Sequence, residues 1–337
     1  MIALISLLLS FHLLPLPVDQ HAAPDAQEIE VVDDDLAPIC EKFFEKPSSE
    51  LLLKNHYSPA DMADSGLYVR GVYYVYDLEG NKLGVLKTLL AGDQEDEKFF
   101  RDEVEALQKL QKIPFQHFHS VKLKGHVHGE STLVLAESLA KGKSINQLIK
   151  DYGKMSSLSA KQESFSQIEA AVKETGVALG ELHAKSPKRK PSHLPSPQGI
   201  IHGDAHIGNI FYDNETNQVT FIDFQLTPPI NQGGPVGTDL GQFLVSIELM
   251  SKYWHLSDHQ IDQLKEAFLT AYQEHGPKIS DEEISFYEDQ VLKRYANMPE
   301  ESLQGSEGHQ ARFIKDYSSF LIASSSSSSS SSVGSKS

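Results

Sequence analysis

Ile201-His202-Gly203-Asp204-Ala205-His206-Ile207-Gly208-Asn209 and, nineteen residues after Asp204, Phe221-Ile222-Asp223-Phe224 decide how this chain folds. Gly199-Ile200-Ile201 runs apolar into the first cluster, and Val219-Thr220-Phe221-Ile222 runs rich in β-formers into Asp223, so a buried strand is expected on each side. Between them, Ile210-Phe211-Tyr212 and Val219-Thr220-Phe221 flank Asp213-Asn214-Glu215-Thr216-Asn217, a hairpin pattern with turn residues at its tip. Closing that hairpin brings Asp223 towards Asp204 and Asn209. Two carboxylates and an amide oxygen are hard ligands, of the kind Mg²⁺ bound to a polyphosphate takes.

The order of these residues carries a resemblance. Kinase catalytic loops read His-Arg-Asp-Leu-(x)4-Asn, with the metal-holding Asp on the next hairpin. The variant His202-Gly203-Asp204-x-His206-x-x-Asn209 resembles the small-molecule kinases of the aminoglycoside phosphotransferase and choline kinase superfamily. Ile222-Asp223-Phe224-Gln225 is similar to the metal strand of its methylthioribose kinase and ecdysteroid-kinase-like branches, and Gly234 to Gly241 is similar to the Asp-Leu segment that follows there. The resemblance covers roughly residues 57–294 and is densest over 199–245. It implies an α+β, bilobal, protein-kinase-like fold: a small antiparallel N-lobe sheet with one helix, and a larger, mostly helical C-lobe.

Composition narrows the partners. The 337 residues are 39% hydrophobic, enough for a large core or two lobes sharing a cleft. Thirty Lys and Arg against 47 Asp and Glu give a formal charge of −17, which argues against a nucleic-acid partner. The acidic balance suits a cationic or neutral small molecule and also plain solubility. The single Cys40 excludes an internal disulfide.

In chain order, the apolar run Met1 to Leu14, broken by Pro15 and Pro17, is too short for a membrane span and resembles a signal-peptide core without its basic start. A leader over residues 1–23 is therefore expected, pointing to a secretory route, with a cytoplasmic chain as the alternative because kinase chemistry needs ATP. An acidic extension over 24–56 precedes an N-lobe over 57–139. Leu67 to Asp77 and Lys82 to Leu89 predict a strand pair around Leu78-Glu79-Gly80-Asn81. Glu95 to Lys112 predicts a helix with acids first and bases last, its stripe formed by Phe100, Val104, Leu107 and Leu110. Glu103 lies on that stripe. Ser131 to Ala136 predicts a buried strand leading into Glu137-Ser138-Leu139. A C-lobe over 140–322 is expected to hold helices at 144–152, 165–185, 239–249, 257–275 and 281–294, with Ser186 to Pro197 as a basic, Pro-rich surface loop. The serine tract 324–332 predicts a disordered tail over 323–337.

Each site residue has a role implied by the resemblance and a plainer alternative. Asp204 would take or orient the proton of the acceptor hydroxyl, with His206 donating a hydrogen bond near the transferred phosphate. Asn209 and Asp223 would hold Mg²⁺. Lys87 would hold the phosphates of ATP and pair with Glu103; otherwise they are an edge-strand lysine and a surface acid. Ser65 and Gly66 stand where a phosphate loop belongs, and Glu137 and Leu139 where a hinge meets adenine. His202 is expected to brace the loop, His183 to pack within its helix, and Asp239 to cap or anchor. The implied reaction is ATP- and Mg²⁺-dependent phosphorylation of a hydroxyl on a small molecule. A pseudokinase or nucleotide-binding scaffold, a protein kinase and a metal-dependent hydrolase remain alternatives. For the hydrolase, His202 and His206 are four apart, but Gly203 and Gly208 disfavour the helix that spacing requires.

Overall fold

The computed structural model describes residues 30–31, 36–55, 71–130, 132–185, 197–224, 233–299 and 308–330. The leader, Ser65 and Gly66, Gln225 and nearly all of the basic Pro-rich loop lie outside those residues.

The first lobe is built on a six-stranded sheet in the order β1-β2-β3-β4-β7-β6. These are β1 Glu30–Val31, β2 Leu51–Asn55, β3 Gly71–Asp77, β4 Lys82–Leu90, β6 Leu123–His128 and β7 Thr132–Glu137. Every pairing is antiparallel. Period-2 alternation divides β4 between two faces. Leu86 joins Cys40, Phe43, Phe44, Leu53 and Val75 in a cluster under helix α1 (Ala37–Phe44). Leu133 and Leu135 of β7 meet Phe100 and Val104 of helix α2 (Gln94–Leu110) in another. The lobe thus carries α1 ahead of α2, the helix expected from Glu95 to Lys112. Its sheet also reaches back into the stretch read as an acidic extension, because β2 supplies apolar partners to β3 that charge counting hides.

The second lobe is mostly helical: α3 Ile145–Lys154, α4 Leu158–Ala184, α5 Gly237–Tyr253, α6 Asp258–His275, α7 Asp281–Ala296 and α8 Gly308–Ser330. Local chemistry sets several of its boundaries. Ser144 accepts from the Gln147 amide at the start of α3, and Ser257 with Gln260 and Ser280 with Glu283 form reciprocal capping boxes on α6 and α7. Gly241 lets α5 approach α7, since a Cβ there would come within 2.6 Å of Tyr287 backbone carbon. Helix α8 runs on to Ser330, into the serine tract. An established helix adds residues at little cost, whereas a new one must nucleate.

Between the lobes a small sheet orders β5 (His119–Ser120), β11 (Gln218–Phe221), β10 (Ile210–Asp213) and β8 (Lys143–Ser144). The β10–β11 hairpin closes on a turn with Asn217 at φ 54°, and Asp213 accepts from the Glu215 amide and the Thr216 hydroxyl. The strand expected at Gly199-Ile200-Ile201 is only β9, Gln198–Gly199, paired with β12, Gly234–Pro235. Ile200 and Ile201 are buried without strand pairing, which frees the backbone of His202 and Gly203 for another partner.

Candidate active site

The first cluster forms where the sheet, α2 and the hairpin meet. Lys87 on β4 points away from the α1 core, and its Nζ lies 2.7 Å from Glu103 Oε1, 3.2 Å from Glu137 Oε2 and 2.5 Å from Asp223 Oδ1. All four residues are buried. Burial opposes the lysine's charge, but Asp223, then Glu103 and Glu137, outweigh it and hold the ammonium well above its ordinary value. Burial, with the other two carboxylates, pushes Glu103 well up despite Lys87, and burial is also the main cause of the upward shift at Glu137. Both glutamates are thus shifted towards their neutral forms, and Asp223 is the lysine's strongest charge partner. Tyr74 on β3 lies near this cluster: burial, then Tyr76 and then Asp223 push its phenol up to about 12.

The second group is the loop between β9 and β10. Gly203 has φ 87°, a left-handed turn that a side chain would strain, and Asp223 sits at φ 58° without being glycine. His202 donates from Nε2 to Ile222 O at 2.9 Å and accepts at Nδ1 from the Asp204 amide at 3.2 Å, which fixes its neutral tautomer. Burial lowers its pKa. The ring also lies 4.4 Å, centroid to centroid, from Phe224. His206 accepts from the Gly208 amide at Nδ1, leaving Nε2 as the donor, 3.7 Å from Asp204 Oδ2. Asn209 donates to Asp204 O at 3.1 Å and to Asp204 Oδ2 at 3.2 Å. Gln242 on α5 donates to Asp204 Oδ1.

Beneath the loop lies a buried chain of partners. The amides of His202 and Gly203 donate to Asp239 at 2.7 and 2.8 Å, and His183 Nε2 lies 3.0 Å from the same carboxylate. Its Nδ1 meets Tyr272 Oη at 2.9 Å. Burial works against Asp239's charge, but the bond and charge of His183, then His202, outweigh it and lower its pKa. Burial, then Asp239, push the Tyr272 phenol far up. Asp239 is therefore a loop anchor, and His183 is part of that anchor rather than merely packed.

The residues fit a divalent cation beside a polyphosphate. Asn209 Oδ1 is buried with no hydrogen-bond partner among the described residues, as is Glu103 Oε2. Leaving a buried acceptor unsatisfied costs about 1–3 kcal/mol, so an oxygen kept bare beside an acid-rich cluster suits a metal ligand. Among the described residues no group of three or more His, Cys, Asp and Glu could hold a metal by itself.

The structure brings Lys87, Glu103, Glu137, Asp204, His206, Asn209 and Asp223 into one region. Glu137 ends β7, and its side chain turns inward to Lys87, a contact that the hinge expectation, which concerned its backbone, did not include. Leu139 follows two residues beyond that strand. Sequence reasoning missed Gln242 and Tyr74 altogether. Gln242 stands three residues after Asp239, one helical step along α5, and that spacing was the available signal.

Relatives are consistent with this geometry. The family model described as the phosphotransferase enzyme family, APH, matches residues 52–279. The chain is 29% identical over 126 residues to a methylthioribose kinase of Bacillus pumilus (strain SAFR-032), covering 34% of this chain and 30% of that protein. It is 33% identical over 69 residues to a methylthioribose kinase of Geobacillus sp. (strain WCH70), covering 20% of this chain and 16% of that protein. The matches thus span less than a third of each relative's length. With a family match across most of the chain and a kinase-like fold in two lobes, this protein belongs to the phosphotransferase enzyme family.

Proposed function

We propose that the chain transfers the γ-phosphoryl group of Mg²⁺-bound ATP to a hydroxyl of a small molecule. The observation that carries this reading is the convergence of Lys87, Glu103, Asp204, Asn209 and Asp223, with Asn209 Oδ1 bare beside the Asp204 carboxylate. Asp204 accepts the proton of the attacking hydroxyl. His206 Nε2–H donates towards the transferred phosphoryl oxygens. Asn209 Oδ1 and the Asp223 carboxylate hold the metal, which offsets charge developing on those oxygens. Lys87 exchanges Asp223 for the nucleotide's phosphates while keeping Glu103. The backbone from Glu137 to Leu139 meets the adenine.

The relatives' name makes methylthioribose the first acceptor to try. The test of the nucleotide site is thermal stabilisation by ATP, with and without Mg²⁺, in wild type and Asp223→Ala. Ligand at about 100 times its Kd stabilises the folded state by about 2.7 kcal/mol. A Tm rise that requires Mg²⁺ and vanishes in Asp223→Ala is expected. A folded wild type whose Tm ignores Mg²⁺-ATP would sink the proposal.

A further inference from the structure

We infer that Gln242 is a positioning residue for Asp204: it holds Oδ1 so that Oδ2 is the oxygen presented to the acceptor hydroxyl. The inference rests on the phosphotransferase reading of the site and extends it to a residue outside the loop motif. Gln242 is 3% exposed, near the start of α5, and its Nε2 donates to Asp204 Oδ1. The amide can only sit this way round. Reversed, it would press its own oxygen against a carboxylate, acceptor against acceptor. The other end of the same amide, Oε1, is buried and has no hydrogen-bond partner among the described residues.

That asymmetry separates positioning from packing. A buried amide with one end unsatisfied is a poor core residue, because an apolar side chain of the same length would fill the space without stranding an acceptor. The chain keeps glutamine where only its N–H is used, and that N–H meets the proton-accepting carboxylate. On the far side, Asp204 Oδ2 faces Asn209 Nδ2 at 3.2 Å and His206 Nε2 at 3.7 Å, the residues read as metal ligand and phosphoryl donor. Oδ1 is thereby committed to α5, and Oδ2 to the side where phosphoryl transfer takes place. Helix α5 also carries Asp239, which grips the loop backbone at His202 and Gly203. One helix therefore fixes both the main chain of the loop and the orientation of its acid.

The experiment compares wild type, Gln242→Met and Gln242→Glu in the full chain. Turnover is measured with Mg²⁺-ATP and methylthioribose, and as slow ATP hydrolysis with water as acceptor, alongside KM for ATP and Tm. The expected result is that Gln242→Met keeps its Tm, keeps its KM for ATP within about twofold, and loses kcat by about 10- to 100-fold, the scale of a misplaced reacting group. Gln242→Glu, which keeps the shape but turns the donor into an acceptor, falls at least as far. If Gln242→Met turns over like wild type, the positioning role is wrong. If its kcat, KM and Tm all worsen together, glutamine is there for packing, and the inference is equally overturned. A folded wild type that turns over with neither acceptor removes the phosphotransferase reading and this inference with it, whereas an active wild type beside an unimpaired Gln242→Met removes this inference alone.

Discussion

Two buried polar clusters lie on either side of the loop between β9 and β10, and they are built on opposite terms. Beneath it, Tyr272, His183 and Asp239 form a hydrogen-bonded chain that ends on the backbone amides of His202 and Gly203. Above it, Lys87 faces three carboxylates, and the oxygens Glu103 Oε2 and Asn209 Oδ1 lack hydrogen-bond partners among the described residues. The matched cluster fixes a shape. The mismatched one gathers three acids around one lysine, with burial pushing both glutamates towards their neutral forms, so an arriving cation favours their charged forms and competes with Lys87 for Asp223. Stability and chemistry are thus assigned to different sides of the same few residues.

Substitutions can sharpen or break that contrast, and the largest effect belongs to the loop itself. Asp204→Asn should lower turnover by about 10³-fold while leaving the Mg²⁺-dependent thermal shift with ATP in place. Full turnover in that variant would remove Asp204 from the chemistry. Next is the matched side. Asp239→Ala leaves His183 and two amides without their acceptor, and breaking such a buried set costs about 3–5 kcal/mol. A fall in Tm of roughly 10 °C should follow, and an unchanged melting curve would show that the anchor does not hold the loop.

The mismatched side should respond in the opposite sense. Glu103 has its pKa raised above 4.5, so its contribution to stability is complete below that value and is lost as pH climbs through the buried value. Glu103→Gln removes that loss while keeping an acceptor for Lys87. Its Tm should therefore gain on wild type, by about 2–4 °C, as pH climbs above the ordinary carboxyl range, even as KM for ATP rises. A variant that only loses stability would mean that the cluster is an ordinary ion pair.

The smallest effect concerns His202, whose pKa is lowered from 6.5 by burial. Its contribution is full above that value and is lost as pH falls, because the unfolded imidazole takes a proton that the buried one refuses. Wild type should lose about 2 °C more than His202→Asn between roughly pH 7.5 and pH 5.5. Equal slopes in differential scanning calorimetry would assign the acid sensitivity elsewhere.

Much of this arrangement was legible in one dimension. The hairpin was readable because its turn residues and flanking β-formers are contiguous. Glu103 was readable because helical periodicity put it on the apolar stripe and its neighbours Asp102 and Glu105 off it. The β2 strand was less visible: it lies next to an acidic, mixed stretch, and its apolar face is recognisable only once β3 pairs with it. The inward turn of the Glu137 side chain was not readable, because its partner Lys87 lies fifty positions away on another strand.

The sequence by itself determined which groups are available and in what order: the acid, amide and acid of Asp204, Asn209 and Asp223, the strand lysine, the helix boundaries set by capping boxes, and the lack of any internal disulfide. These are local properties, written in neighbouring residues. Tertiary structure alone decided that Glu137 turns inward, that Tyr272 and His183 end on Asp239, and that the Gln242 amide reaches Asp204. Those partners lie 38 to 89 positions apart. Such distances close only when apolar burial packs helix against helix, and hydrogen bonds then select which polar groups may remain inside.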